Sequence, residues 1–114
     1  MRYAETSGSI EVRPADENGF IVGLHEGAGE IVVSFEGWHE HFKAEFEALN
    51  CFAFGLSESC RLRVGYRGAM PVSWTVEAAR DGTWIPDSKT GLLFVPFWRS
   101  KRVRYLQNRW LPAA

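Results

Sequence analysis

Only two cysteines, Cys51 and Cys60, occur in 114 residues, and no Cys-x-x-Cys spacing joins them. Buried thiols are therefore a better account of them than a disulfide or a metal role. No run of 18 or more apolar residues is present, so a membrane-crossing helix is not expected. The opening Met-Arg-Tyr-Ala-Glu-Thr-Ser-Gly lacks the apolar core of a signal peptide, which leads to the expectation of a cytoplasmic protein. Enzyme signatures are missing as well. There is no Gly-x-Ser-x-Gly elbow, phosphate loop or dinucleotide fingerprint, and His39-Glu40-His41 is not the His-Glu-x-x-His pattern of zinc proteases. These absences lean away from an enzyme without deciding the matter, and they offer no catalytic residues.

What is present is apolar and aromatic. A hydrophobic fraction of 46%, with 14% aromatics and five tryptophans, excludes a disordered chain. The length predicts a single domain over 1–114 that buries roughly 65% of its unfolded surface. Charge is unevenly placed. Residues 1–58 hold eleven acidic and three basic side chains (net −8), whereas residues 59–114 hold ten basic and three acidic (net +7). Such asymmetry points to a charged partner, or to two halves that neutralise each other.

Along the chain, short runs at period two alternate with turn residues. A brief strand at 10–13 ends at Pro14, and Ala15 to Gly19 reads as a turn. Phe20–His25 and Glu30–Glu36 form a hairpin through the loop 26–29. Its expected register sets Leu24 against Ile31, Val22 against Val33 and His25 against Glu30. Arg61–Arg67 alternates, with Leu62, Val64 and Tyr66 on one face and Arg61, Arg63 and Arg67 on the other. It pairs with 72–78, Leu62 against Val76, Val64 against Trp74 and Tyr66 against Val72. Asp81-Gly82 then marks a two-residue turn into a strand from Thr83. Residues 92–98 are apolar throughout and predict a central strand. Lys101–Leu106 reads as a strand, with a helix as the rival.

The one helical pattern spans about 38–57. Trp38, Phe42, Phe46, Leu49, Ala53 and Leu56 fall within about 40° of one another at 100° per residue, which predicts a core-facing stripe. The fold class is therefore α+β: a curved antiparallel sheet of about six or seven strands packed on one main helix, with two or three strands before the helix and four or five after it. A pocket between helix and sheet, lined by Trp38, Trp74, Trp98 or Phe97, is the weaker alternative to a filled core.

His39 and His41 change meaning with the start of the helix. In a helix they lie about 200° apart and cannot share an ion. Were residues 37–41 extended, both imidazoles would project to one side, as a His-x-His metal pair requires. Zinc would still need a further ligand, from Glu36, Glu40 or elsewhere, and His25 is placed too far along the sheet to supply it. No cofactor is therefore expected, with zinc held open.

The segment Val33-Ser34-Phe35-Glu36-Gly37-Trp38-His39-Glu40-His41-Phe42, a strand ending in Trp-His-x-His-Phe and running into a helix, resembles small, stand-alone bacterial proteins, some of them similar to immunity proteins of toxin systems. The resemblance covers about twenty-five residues and implies a compact α+β protein that acts by binding another protein. The expectation is thus a non-enzymatic protein-binding module. Its candidate contact residues are Trp38, His39, His41, Glu36 and Glu40 on one side, and Arg61, Arg63 and Arg67 on the other. The acidic set would meet a basic partner and the arginines an acidic one, and self-association between the opposite patches is also allowed. The alternative is a metal- or small-ligand-binding domain, with hydrolase activity allowed, centred on His39 and His41. Nucleic acid is disfavoured, because the acidic first half would repel phosphate unless the two halves are kept apart in space.

Overall fold

The computed structural model describes residues 3–6, 8–91 and 98–112. In chain order the elements are β1 (Tyr3–Thr6), β2 (Ser9–Val12), β3 (Val22–Gly27), β4 (Glu30–Phe35), β5 (Trp38–Phe42), α1 (Glu45–Leu56), β6 (Cys60–Arg67), β7 (Met70–Arg80), β8 (Thr83–Gly91) and β9 (Lys101–Leu106). The fold is α+β with a single helix among the described residues. Its strands divide at the helix into two antiparallel sheets, a five-stranded meander β1-β2-β3-β4-β5 and a four-stranded sheet ordered β8-β7-β6-β9. No described helix is long and apolar enough to cross a membrane.

Turn chemistry sets the first sheet. Ala28 and Gly29 both take positive φ (40° and 81°), as a two-residue type I′ turn requires, so Gly27 pairs with Glu30 and Leu24 with Val33. The expected four-residue loop thus gives way to a tighter one. Partners slip by two residues, which keeps every side chain on its expected face but parts His25 from Glu30. His25 instead lies opposite Val32 and hydrogen-bonds Ser9 through Nδ1.

The second difference lies at the helix start. Residues 38–42 are a strand, paired to β4 through a hairpin that sets Phe35 opposite Trp38. Glu36, at φ 53°, makes that turn, and its left-handed backbone is offset by two bonds to Ile21. The Glu36 N–H donates to the Ile21 carbonyl, and Glu36 Oε1 accepts the Ile21 N–H, both at 3.0 Å. Glu45 and Glu47 lie in the first turn of α1, where carboxylates complement the helix dipole.

One core joins both sheets and the helix. Phe20, Val22, Val33, Phe35 and Trp38 meet Ala48 and Leu56 of α1 and Cys60, Leu62, Val64, Val76 and Leu106 of the second sheet. Phe35 stacks on Trp38 at 4.6 Å between ring centres, and Trp38 Nε1 donates to Ser88 Oγ at 3.0 Å. The helix approaches β4 so closely that a Cβ on Gly55 would stand 2.3 Å from the Phe35 ring. Only small side chains fit such a contact. Ala48 and Gly55 therefore face inward, while Phe46 and Leu49 turn outward, 67% and 47% exposed, and Ala53 is exposed with them. Of the expected helical stripe, Trp38 and Leu56 are buried and Phe42 half-buried, whereas Phe46, Leu49 and Ala53 are exposed.

After the helix most of the expected pairing is present: Leu62 faces Val76, Val64 faces Trp74, and Asp81-Gly82 forms a type I′ turn, but an extra residue in β7 moves Tyr66 from Val72 to Pro71. Lys101–Leu106 is a strand paired to β6. The expected central strand at 92–98 lies outside the described residues except for Trp98, which is exposed. Beyond β9, Asn108 is buried and pins three segments together. Its Oδ1 accepts the Phe20 N–H at 3.1 Å, and its Nδ2 donates to the carbonyls of Phe20 (2.9 Å) and Gly55 (3.1 Å).

Replacing Asn108 by alanine strands three backbone groups at once. With a cost of about 1–3 kcal/mol for a buried group left unsatisfied, Asn108→Ala is expected to lower unfolding free energy by about 3 kcal/mol or more. Urea unfolding should show a lower midpoint at unchanged slope. An unaltered midpoint would mean that the amide does not hold these segments together.

Candidate functional site

The β6 register decides where the arginines go. Leu62 and Val64 are buried in the core, so period two sends Arg61, Arg63 and Arg67 to the other face of the four-stranded sheet. Arg61 lies opposite Glu77, Arg63 opposite Thr75 and Tyr105, and Arg67 opposite Lys101. The same phase places Lys89, opposite Thr75, and Trp84, opposite Ala79, on this face. Glu77 is the only acidic side chain on it among the described residues, and Arg61 already engages it. Arg61 Nε and Nη2 both reach Glu77 Oε1 at 2.7 Å, with Glu77 buried.

The Arg61 guanidinium is also clasped between aromatic rings, 4.6 Å from the centre of Trp84 and 4.1 Å from that of Tyr105. Such stacking holds a cation by its attraction to the ring faces and fixes its plane. Arg67 donates from Nη1 to the Arg99 carbonyl at 3.5 Å. Beside the clasp opens a cleft of about 570 Å³, lined by Asp16, Asn18, Arg61, Trp84, Tyr105 and Arg109 among others. The face therefore combines fixed positive charge, two aromatic rings and a concavity.

The five-stranded sheet carries the other candidates. Trp38 is 2% exposed, so its place as a contact residue is corrected: it is a core residue, stacked on Phe35. Glu36 is exposed but tied to Ile21. Glu40 is exposed on the side of β5 that faces the helix. His39 and His41 do lie on a strand, side by side on its outer face, with ring centres 5.7 Å apart. His41 Nδ1 meets Glu30 Oε1 at 2.7 Å. Among the described residues, no group of three or more His, Cys, Asp or Glu side chains could hold a metal ion. His25 is two strands from His41, about 10 Å away at the usual strand spacing, and is bonded to Ser9. Among the described residues, therefore, three protein ligands do not converge as a zinc centre requires.

The arginine face was legible in the alternation of residues 61–67. Its clasp was missed, because pairing Trp84 and Tyr105 with Arg61 needs both neighbours of β6 in register. The mutual partners Arg61 and Glu77 follow from Leu62 opposite Val76, which was the available signal. At Trp38 the space between helix and sheet is filled, as expected, since that side chain is in the core; Trp74 packs on the β4–β5 turn, where a Cβ on Gly37 would stand 2.3 Å from its ring, and Phe97 lies outside the described residues. No family model, curated protein or solved structure matches the chain.

Neither cysteine is poised as a nucleophile. Burial, aided by the nearby charges of Glu40 and Asp87, pushes the Cys51 thiol up to about 12, and burial raises Cys60 as well. Because the folded state holds these protons more tightly than the unfolded chain, their contribution to stability is intact below the ordinary thiol range. It is lost as pH rises from about 9 toward 12. Iodoacetamide at pH 8 should alkylate both thiols at least about tenfold more slowly in the native protein than in urea. Equal rates would show that the thiols are open.

Proposed function

We propose that the protein is a non-enzymatic binding module that takes an acidic protein partner on the outer face of its four-stranded sheet. The observation that carries this reading is the in-register row of Arg61, Arg63 and Arg67, with Lys89 and Lys101 beside it and Glu77, the one acid on this face among the described residues, held by Arg61. Arginine, tyrosine and tryptophan are the side chains that dominate binding energy at protein interfaces. A guanidinium already clasped by two rings loses little further freedom on binding, which leaves more of its interaction energy as affinity. The partner's carboxylates would meet Arg63 and Arg67 and line the rim of the cleft. Separation of the acidic first sheet from the basic second favours oriented approach. This reading agrees with the protein-binding role implied by the resemblance at Val33–Phe42.

Single-stranded nucleic acid is the rival for a basic, aromatic sheet face. Against it, Trp84 and Tyr105 each give a ring face to Arg61 rather than to a base.

Capture from an extract of the source cells, with wild-type and Arg63→Glu, Arg67→Glu bait, tests the reading. These two positions are chosen because removing Arg61 would leave Glu77 buried and unpaired. The captured protein should be lost in the double variant and above about 0.3 M salt, where the screening length is roughly 6 Å. It should be retained by a Glu45→Lys, Glu47→Lys bait and after nuclease treatment. Capture indifferent to the arginines would overturn the proposal, and capture abolished by nuclease would favour the rival.

A further inference from the structure

His39, His41 and Glu30 form an arrangement that the arginine face does not explain. The β4–β5 register sets His39 opposite Ser34 and His41 opposite Val32, with Glu30 two residues beyond Val32. Glu30 and His39 therefore flank His41 from opposite sides. The carboxylate accepts from His41 Nδ1 at 2.7 Å, which places the proton on Nδ1 and leaves the Nε2 lone pair of the neutral ring unused, away from Glu30. A carboxylate behind one imidazole nitrogen is the usual device for orienting a metal-ligating histidine and raising its basicity.

The two rings have the right separation. A transition-metal ion ~2.0–2.1 Å from a ring nitrogen stands roughly 3 Å from that ring's centre, so two imidazoles on one ion are at most roughly 6 Å apart. Here the centres are 5.7 Å apart, and the rings are inclined at 74° rather than stacked. Both side chains are exposed, so water can complete the coordination sphere.

We infer that His39 and His41 form a two-histidine site for a late first-row divalent cation, with Glu30 as the positioning residue behind His41 and water in the remaining positions. Imidazole ligands and an open, unconstrained geometry favour Cu²⁺ over Ni²⁺ and Zn²⁺, following the general affinity order of these ions. A site with two protein ligands gives exchangeable binding rather than a structural metal.

The test is calorimetric titration of tag-free, chelator-stripped protein with Cu²⁺ and Ni²⁺, with electron paramagnetic resonance of the copper form. One equivalent should bind, with nitrogen hyperfine structure from two imidazoles. His39→Ala and His41→Ala should each weaken binding at least about tenfold, and His25→Ala should leave it unchanged. Glu30→Gln should weaken it about tenfold or more while both histidines remain as ligands, a loss on the scale seen when such supporting carboxylates are removed. Thermal unfolding of the metal-free variants should match wild type, since all these side chains are exposed or half-exposed. Absence of binding at 0.1 mM metal, on the order of a hundred times a micromolar Kd, would overturn the site, as would binding that survives the double histidine variant. Full affinity in Glu30→Gln would remove Glu30 from it.

Discussion

The contact of α1 with β4 at Gly55 and Phe35 governs the rest of the structure. Because the Phe35 ring lies where a Gly55 side chain would be, the helix seats with its backbone against the sheet. Phe35 in turn stacks on Trp38 and tilts against Phe20, 5.5 Å away. Asn108 then reaches the Gly55 carbonyl and both backbone groups of Phe20. One close approach thus links the first sheet, the helix and the segment that follows the last strand. Its cost falls on the helix itself: Ala48 and Gly55 take the closest approach, Leu56, Phe52 and Phe54 pack beside it, and the large apolar side chains Phe46 and Leu49 are left facing outward.

A shared core between two sheets also separates the charge. Each sheet turns its apolar face inward, so the non-core faces of the acidic and basic halves look away from the core. Glu11, Glu30 and the three histidines occupy the outer face of the first sheet, and Arg61, Arg63, Arg67, Lys89 and Lys101 that of the second. The two halves do not simply cancel strand against strand. An anionic partner and a cation can therefore be addressed by different faces of the same molecule without sharing side chains.

Where turn and pattern agreed, the sequence was a sound guide. Asp81-Gly82 and the alternation of 61–65 against 73–78 matched the observed register of β6, β7 and the start of β8, up to the bulge that sets Tyr66 opposite Pro71. At β3–β4 the pattern was equally regular but admitted two registers differing by two residues. Both bury the same side chains, so hydrophobic alternation could not choose between them, and the Ala28-Gly29 turn did. That slip matters for the site, because it releases Glu30 from His25 and gives it to His41. At Trp38–Phe42 a helical and an extended reading were both consistent with the apolar spacing. The extended one prevailed because β4 offered a paired edge and Ile21 held the Glu36 turn.

The sequence by itself determined the α+β class, the single helix, the acidic-then-basic division and the phase of the arginines. Each of these depends only on local periodicity or on composition. Tertiary structure decided the split into two sheets, the face on which the helix rests, the clasp of Arg61 by Trp84 and Tyr105, and the meeting of Glu30, His41 and His39. These depend on which strands become neighbours and how closely backbones approach. Such choices are made by long-range packing, where alternatives that look equal along the chain differ in the contacts they allow.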